Sequence, residues 1–274
     1  MRSEQKIKEI VREQYSKVAL SNNQNKIPSC GCSSNKNVLI SKVIGYMDDD
    51  FNAVPEGSNL GLGCGNPIAL ASLKEGETVI DLGSGAGFDA FLASKKVGKT
   101  GKVIGVDMTP AMISKARENA KQGDFENVEF RLGEIEHLPV SDGTADIVIS
   151  NCVINLVPNK RQVFKDAFRV LKPGGRLMIS DIVVTKELPE FIQESIDAYT
   201  GCISGAILKE DYIKLMEESG FQEVKIQGEV SYPIDLFMYS KEIDEIIEKN
   251  NISLKELKEI ARTIVSVKIS AYKP

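Results

Sequence analysis

The chain has 274 residues, 42% of them hydrophobic, and a formal net charge of -5 with both signs interspersed. That is enough apolar material for one large or two modest domains. It excludes a polybasic nucleic-acid face and a patch for anionic membranes, so small molecules are the expected ligands. Met1 to Gln14 is charged throughout and lacks the apolar stretch of a secretory signal, and no apolar run approaches a membrane span. A cytoplasmic setting is therefore expected. There the five cysteines, an odd number, stand as thiols rather than a disulfide framework.

Ile7, Ile10, Val11, Tyr15 and Val18 recur at helical spacing and predict an amphipathic helix over 4–20, read as packing on the core rather than as a substrate lid. Residues 21–36, rich in Asn, Ser, Lys and Gly, form a polar segment that carries Cys30 and Cys32. A glycine loop follows at Gly61, Leu62, Gly63, Cys64, Gly65, Asn66 and Pro67. From residue 77 short β-rich runs alternate with helical stretches, with strands expected at Thr78–Leu82, Lys102–Met108, Val128–Leu132, Asp146–Asn151 and Arg176–Val184. This is α/β order with a parallel sheet.

Thr109 and Pro110 supply an N-cap and a first-turn proline for a helix ending near Gln122. Asn159 opens another that stops at Lys172, Pro173, Gly174 and Gly175. Beyond residue 184 come a helical stretch through Tyr199, a helix over Lys209–Ser219, a strand over Val224–Gly228, two more helical stretches and a last strand near Thr263–Tyr272. The last two strands are expected to complete the same sheet.

The first chemistry-bearing signal is the apolar run Val79, Ile80, Asp81, Leu82, followed at once by Gly83, Ser84, Gly85, Ala86, Gly87 and Phe88. Glycine is required where a backbone turns sharply and approaches a ligand closely. Asp107 ends the next run 24 residues after Gly83, where a ribose-binding acid is expected. Phe88 stands where the dehydrogenase fingerprint would want a glycine. The acid followed by G-x-G-x-G instead resembles the motif of class I S-adenosylmethionine methyltransferases. The resemblance continues in Asp107 and Met108, in Gly133, Glu134 and Ile135, and in Lys172 to Gly175.

It implies a Rossmann-like, doubly wound α/β sheet with S-adenosylmethionine as cofactor. Asp107 would bind the ribose, Glu134 and Ile135 the adenine edge, and Gly83 and Gly85 the methionyl part. Asp81, Ser84, Gly87, Met108 and Asn151 join the expected cofactor set, although Asn151 and Asn155 serve equally well as turn caps.

The second signal is the placement of the cysteines. None reads clearly as a small buried hydrophobe within a periodic pattern, and Cys152, with apolar neighbours, comes nearest to one. Ligands of open α/β sheets lie outside the carboxyl ends of the strands. Cys152 follows Asn151 at one such end, and the glycine loops bearing Cys64 and Cys202 can reach the same rim. LGLGCGNP, DLGSGAGFD, NCVINL and the glycine-flanked Cys202 together resemble the arsenite methyltransferases up to about residue 208.

That resemblance implies that Cys152 and Cys202 bind trivalent arsenic, with Cys64 and either Cys30 or Cys32 completing a thiol relay. The substrate would be arsenite or methylarsenite, and the reductant thioredoxin or a small thiol. Soft arsenic suits thiolate ligands, and a thiol pair closing to a disulfide returns oxidised arsenic to its trivalent state. The implied organisation is a helical, cysteine-bearing arm over 1–64 and a methyltransferase domain over 65–274, with helical caps near 185–208 and 235–262. Competing readings are a methyltransferase for a carbon or oxygen nucleophile, a zinc protein, disfavoured without a C-x-x-C pair or clustered histidines, and a non-catalytic arsenic binder. His137, the single histidine, reads as a surface residue.

Overall fold

The computed structural model describes residues 3–20, 36–66, 72–231, 247–250 and 252–274. Cys30, Cys32 and residues 235–246 and 251 of the expected 235–262 cap lie outside the described residues. Seven strands form one mixed sheet: β1 (Thr78–Leu82), β2 (Lys102–Asp107), β3 (Val128–Leu132), β4 (Ala145–Asn151), β5 (Leu171–Val184), β6 (Gln222–Ser231) and β7 (Ile264–Tyr272). Their order is β3-β2-β1-β4-β5-β7-β6. The pairs from β3 to β5 are parallel, and β7 lies antiparallel to both β5 and β6. This is the class I methyltransferase fold, and the two final strands do complete the sheet.

Central strands are apolar on both faces because helices cover both. Val79, Ile80 and Leu82 of β1 are fully buried, as are Ile147, Val148 and Ile149 of β4. Among the described helices are α1 (Glu4–Leu20), α2 (Lys36–Val43), α3 (Asp48–Asn52), α4 (Phe88–Val97), α5 (Pro110–Gln122), α6 (Lys160–Val170), α7 (Glu190–Gln193), α8 (Ile196–Thr200), α9 (Lys209–Glu218) and α10 (Leu254–Arg262). α5 starts at Pro110 with Thr109 as its N-cap residue. At α6 the Asn159 side chain accepts from Gln162 N, and Val163, Phe164, Ala167 and Val170 are buried at helical spacing.

One boundary differs from expectation. α6 ends at Val170, and β5 already begins at Leu171, so Lys172 to Gly175 lies inside an extended strand rather than in a helix stop. The extension is possible because Leu171 pairs with Ala145 and a register irregularity between Ala145 and Ile147 absorbs the mismatch. Between β1 and β4 the connections leave in opposite directions, and the crevice at that switch point lies beyond the strands' carboxyl ends.

Candidate active site

A cavity of about 990 Å³ of non-atom space, part of it open to solvent, sits at this crevice. Its floor is the turn after β1. Gly83 has φ +66°, and a Cβ there would stand 2.4 Å from Val153 Cγ2, so no side chain fits. Gly85 has φ +52° with nothing within 4 Å of an added Cβ, so its backbone faces open space. Asp81 Oδ2 and Ser84 Oγ are buried without a hydrogen-bond partner, and both residues line the cavity. Buried polar atoms left bare cost stability unless a ligand completes them. Burial, reinforced by Asp89 and Asp107, pushes the Asp81 carboxyl well above the usual carboxylate range. The residues present thus fit a ligand that brings its own donors to this floor.

Asp107 lines the wall, its Oδ1 accepting from Thr109 N at 2.8 Å and its Oδ2 from Gly85 N at 3.0 Å. Met108 and Ile135 line the cavity as well. Glu134 does not. Its carboxylate pairs with Lys8 Nζ at 2.6 Å and Arg12 Nη2 at 3.5 Å, while Glu136, two residues on, lines the cavity and takes Lys8 Nζ at 2.7 Å. α1 therefore does more than pack on the core: Val11 and Tyr15 form part of the cavity wall.

The thiols gather beside this cavity. Cys64, Cys152 and Cys202 are free and buried at 5%, 6% and 3% exposure, inside an apolar cluster with Val11, Leu156, Ile182 and Ile264. The fold buries them because three loops close over one another. Cys152 and Cys202 both hold left-handed backbone, at φ +57° and +64°. Non-glycine residues take that conformation at a cost when the surroundings demand it. Cys202 Sγ donates to Cys152 O at 2.9 Å, and Cys152 N donates to Ser180 O at 2.8 Å.

Cys64 is held from two sides, its N–H donating to Asn151 Oδ1 at 3.0 Å and its carbonyl accepting from Ser266 Oγ at 2.8 Å. The thiols of Cys202 and Cys64, together with burial, push the Cys152 thiol well up, and burial pushes up that of Cys64. Both stay protonated at neutral pH. Cys64 Sγ, Cys152 Sγ and a carboxylate oxygen of Asp181 lie within 4.8 Å of one another.

Residues 73–220 match the model of the methyltransferase domain family. The chain is 32% identical to the crystal structure of CrArsM, an arsenic(III) S-adenosylmethionine methyltransferase from Chlamydomonas reinhardtii, with a TM-score of 0.64 over 85% of this chain and 73% of that one. The chain belongs to the arsenite methyltransferase family. It is 50% identical to the arsenite methyltransferase of Halobacterium salinarum over 82% of this chain and 60% of that protein. It is 34% identical to that of Aquipseudomonas alcaligenes over 80% of this chain and 63% of that protein. The chain thus spans about three fifths of the length of these curated relatives.

Several residues that build the site in this family member are given no role by a sequence motif. Tyr46, Asp89, Glu136 and Asp181 are all buried. Asn151 Nδ2 donates to Tyr46 Oη at 2.9 Å, Asp89 Oδ2 at 3.0 Å and Gly65 O at 2.8 Å. Asp89, one residue past Phe88, carries the only local signal of the four, as the acid in the first turn of α4.

Proposed function

We propose that the chain transfers the methyl group of S-adenosylmethionine to trivalent arsenic, with Cys64, Cys152 and Cys202 arranged around the metalloid and two of these thiols bonded to it at a time. The observation that carries this reading is the convergence of three buried free thiols, from segments about 50 and 88 residues apart, in one cluster whose Cys152 lines the cavity that has the glycine turn as its floor.

Asp81 and Ser84, with their bare buried oxygens, would hold the methionyl end; Gly83 and Gly85 admit it without a Cβ in the way; Asp107, Met108 and Ile135 would hold the nucleoside. When bound, the cofactor supplies an electrophilic sulfonium methyl for the arsenic lone pair. The chain's own part begins with the thiols. Each S–H that meets an arsenic-bound hydroxyl releases water and leaves an arsenic–sulfur bond, so no separate base is required. α1 closes the cavity with Val11 and Tyr15, and this apolar cover excludes water from the transfer.

Methylation oxidises the arsenic, and closure of a thiol pair to a disulfide returns it to the trivalent state. Cys30 or Cys32 would take part in that relay with Cys64, and thioredoxin or a small cytoplasmic thiol would reopen it. Among the described residues no helix is long and apolar enough to cross a membrane.

The test is incubation of the purified full chain with S-adenosylmethionine, a thiol reductant and either arsenite or methylarsenite, followed by chromatography with arsenic-specific detection. Methylated arsenic is the expected product. No methylated product from either substrate, with cofactor binding confirmed, overturns the arsenic reading and leaves a methyltransferase for a carbon or oxygen nucleophile.

A further inference from the structure

The fold places a buried carboxylate against the thiols, and nothing in the reaction as described above uses it. Asp181 is 0% exposed, and one of its oxygens lies within 4.8 Å of both Cys64 Sγ and Cys152 Sγ. Cys202 Sγ stands outside that trio, turned onto Cys152 O at 2.9 Å. The atom within 4.8 Å of both sulfurs of the Cys64–Cys152 pair is thus an oxygen, while the Cys202 thiol interacts with that of Cys152.

The carboxylate is fixed rigidly. Oδ1 accepts from Ile182 N at 2.9 Å and Asn155 Nδ2 at 3.0 Å, and Oδ2 accepts from Tyr212 Oη at 3.0 Å. Three donors against two oxygens with about four acceptor positions leave at least one lone pair unclaimed. Lys160 acts on Asp181 only through its field, its Nζ donating to Val157 O at 3.2 Å. Asn155 Oδ1, on the side chain that holds Asp181, is also buried without a partner. A buried acid without a direct cationic partner is costly, and such groups concentrate where a ligand is handled.

The two arsenic substrates differ in what they retain after meeting two thiols. Arsenite, As(OH)3, reacts with two S–H groups to give two arsenic–sulfur bonds and two waters, and one As–OH remains. Methylarsenite, CH3As(OH)2, loses both hydroxyls in the same exchange, and a methyl remains in that place. Neither exchange changes an oxidation state.

We propose that Asp181 accepts a hydrogen bond from the hydroxyl that arsenite retains when Cys152 and a second thiol hold it, and so favours arsenite over methylarsenite. This rests on the arsenic reading of the site. Methylarsenite offers that carboxylate only a methyl group, which desolvates it without compensation. The order of methylation follows: the unmethylated species is taken first, and the methylated product is released more readily.

Equilibrium dialysis of the full chain against each arsenic species, without cofactor, gives the ratio of the two affinities. In Asp181→Asn the preference for arsenite over methylarsenite should fall about tenfold, the scale of one lost charge-assisted hydrogen bond. An unchanged ratio overturns the proposal. Arsenic K-edge absorption on the arsenite-loaded wild-type chain provides the second arm and is independent of how the variant folds: one oxygen beside two sulfurs is expected, and three sulfurs with no oxygen overturn it. Binding of neither species by the wild-type chain would instead strike down the arsenic reading itself, a result distinct from either of these.

Discussion

The backbone N–H of Cys64 donates to Oδ1 of Asn151 at 3.0 Å, and Asn151 is the residue immediately before Cys152. One side chain therefore sets the spacing of two thiols that are 88 residues apart in sequence. Its amide nitrogen is engaged too, by Tyr46 Oη, Asp89 Oδ2 and Gly65 O. Asn151→Ala leaves the Cys64 amide and the Asp89 carboxylate short of partners, so turnover should fall on the order of tenfold to a hundredfold. Because the loss acts through Cys64, the pair Asn151→Ala with Cys64→Ser should be no slower than Cys64→Ser alone. Steady-state rates of the three variants check this; strictly additive effects would separate Asn151 from Cys64.

Backbone approach governs the loop on the other side of Cys64. A Cβ on Gly65 would fall 1.7 Å from Ser180 Oγ, a side chain on β5 with no room to withdraw from the sheet. Gly65→Ala should therefore displace the Cys64 loop and abolish turnover, while cofactor affinity, measured by calorimetry, stays within about threefold. Gly83→Ala is the opposite case. Its Cβ would strike Val153 at 2.4 Å in a residue already at φ +66°, and cofactor binding itself should be lost.

Lys8 connects α1 to the cavity wall. Its ammonium lies 2.6 Å from Glu134 and 2.7 Å from Glu136, whose side chain is 6% exposed. Removing the cation in Lys8→Ala leaves Glu136 buried beside the cavity without its partner, which costs far more than a surface pair. Cofactor affinity should weaken roughly tenfold, with a smaller loss at high salt because Lys8 is itself only part buried. Calorimetric titration at two ionic strengths checks it.

Asp89 introduces a pH dependence of stability. Burial raises its carboxyl to about 6, despite the hydrogen bonds from Tyr46 and Asn151 that favour the charged form. A folded pKa above the unfolded one means that the folded chain holds the proton longer. Stability is therefore higher below pH about 4 and declines as the pH rises toward 6, by on the order of 3 kcal/mol from this group. Asp89→Asn should flatten that part of the profile, and thermal melts of both proteins from pH 4 to 7 measure the difference. A variant whose melting profile parallels that of the wild type would contradict it.

Periodicity and punctuation carry most of the fold. Strand runs such as Val79 to Leu82 and the Thr109–Pro110 start of α5 are local patterns, and local patterns are visible in a sequence. The glycine turn and the three thiols are legible for the same reason, since the residue types themselves hold the chemistry. What escaped is what depends on contacts across long separations. Glu134 and Glu136 are equivalent in sequence terms, and only the docking of α1 draws one into ion pairs on the outside and the other into the cavity wall. Asp181 sits in an apolar strand where an acid reads as an exception without a role; its meaning comes from two cysteines and from Tyr212, each arriving from a different element. The burial of the cysteines is not visible in the sequence, because it arises only when the glycine-rich loops close on one another.

The most direct test of the account is transfer of a labelled methyl group from S-adenosylmethionine to arsenic by the wild-type chain and by Cys152→Ser, with cofactor affinity measured in both. The account predicts transfer by the wild type, and none by the variant at an unaltered cofactor affinity, since Cys152 belongs to the thiol cluster and not to the glycine-turn floor. Methyl transfer to arsenic that persists in Cys152→Ser would contradict it.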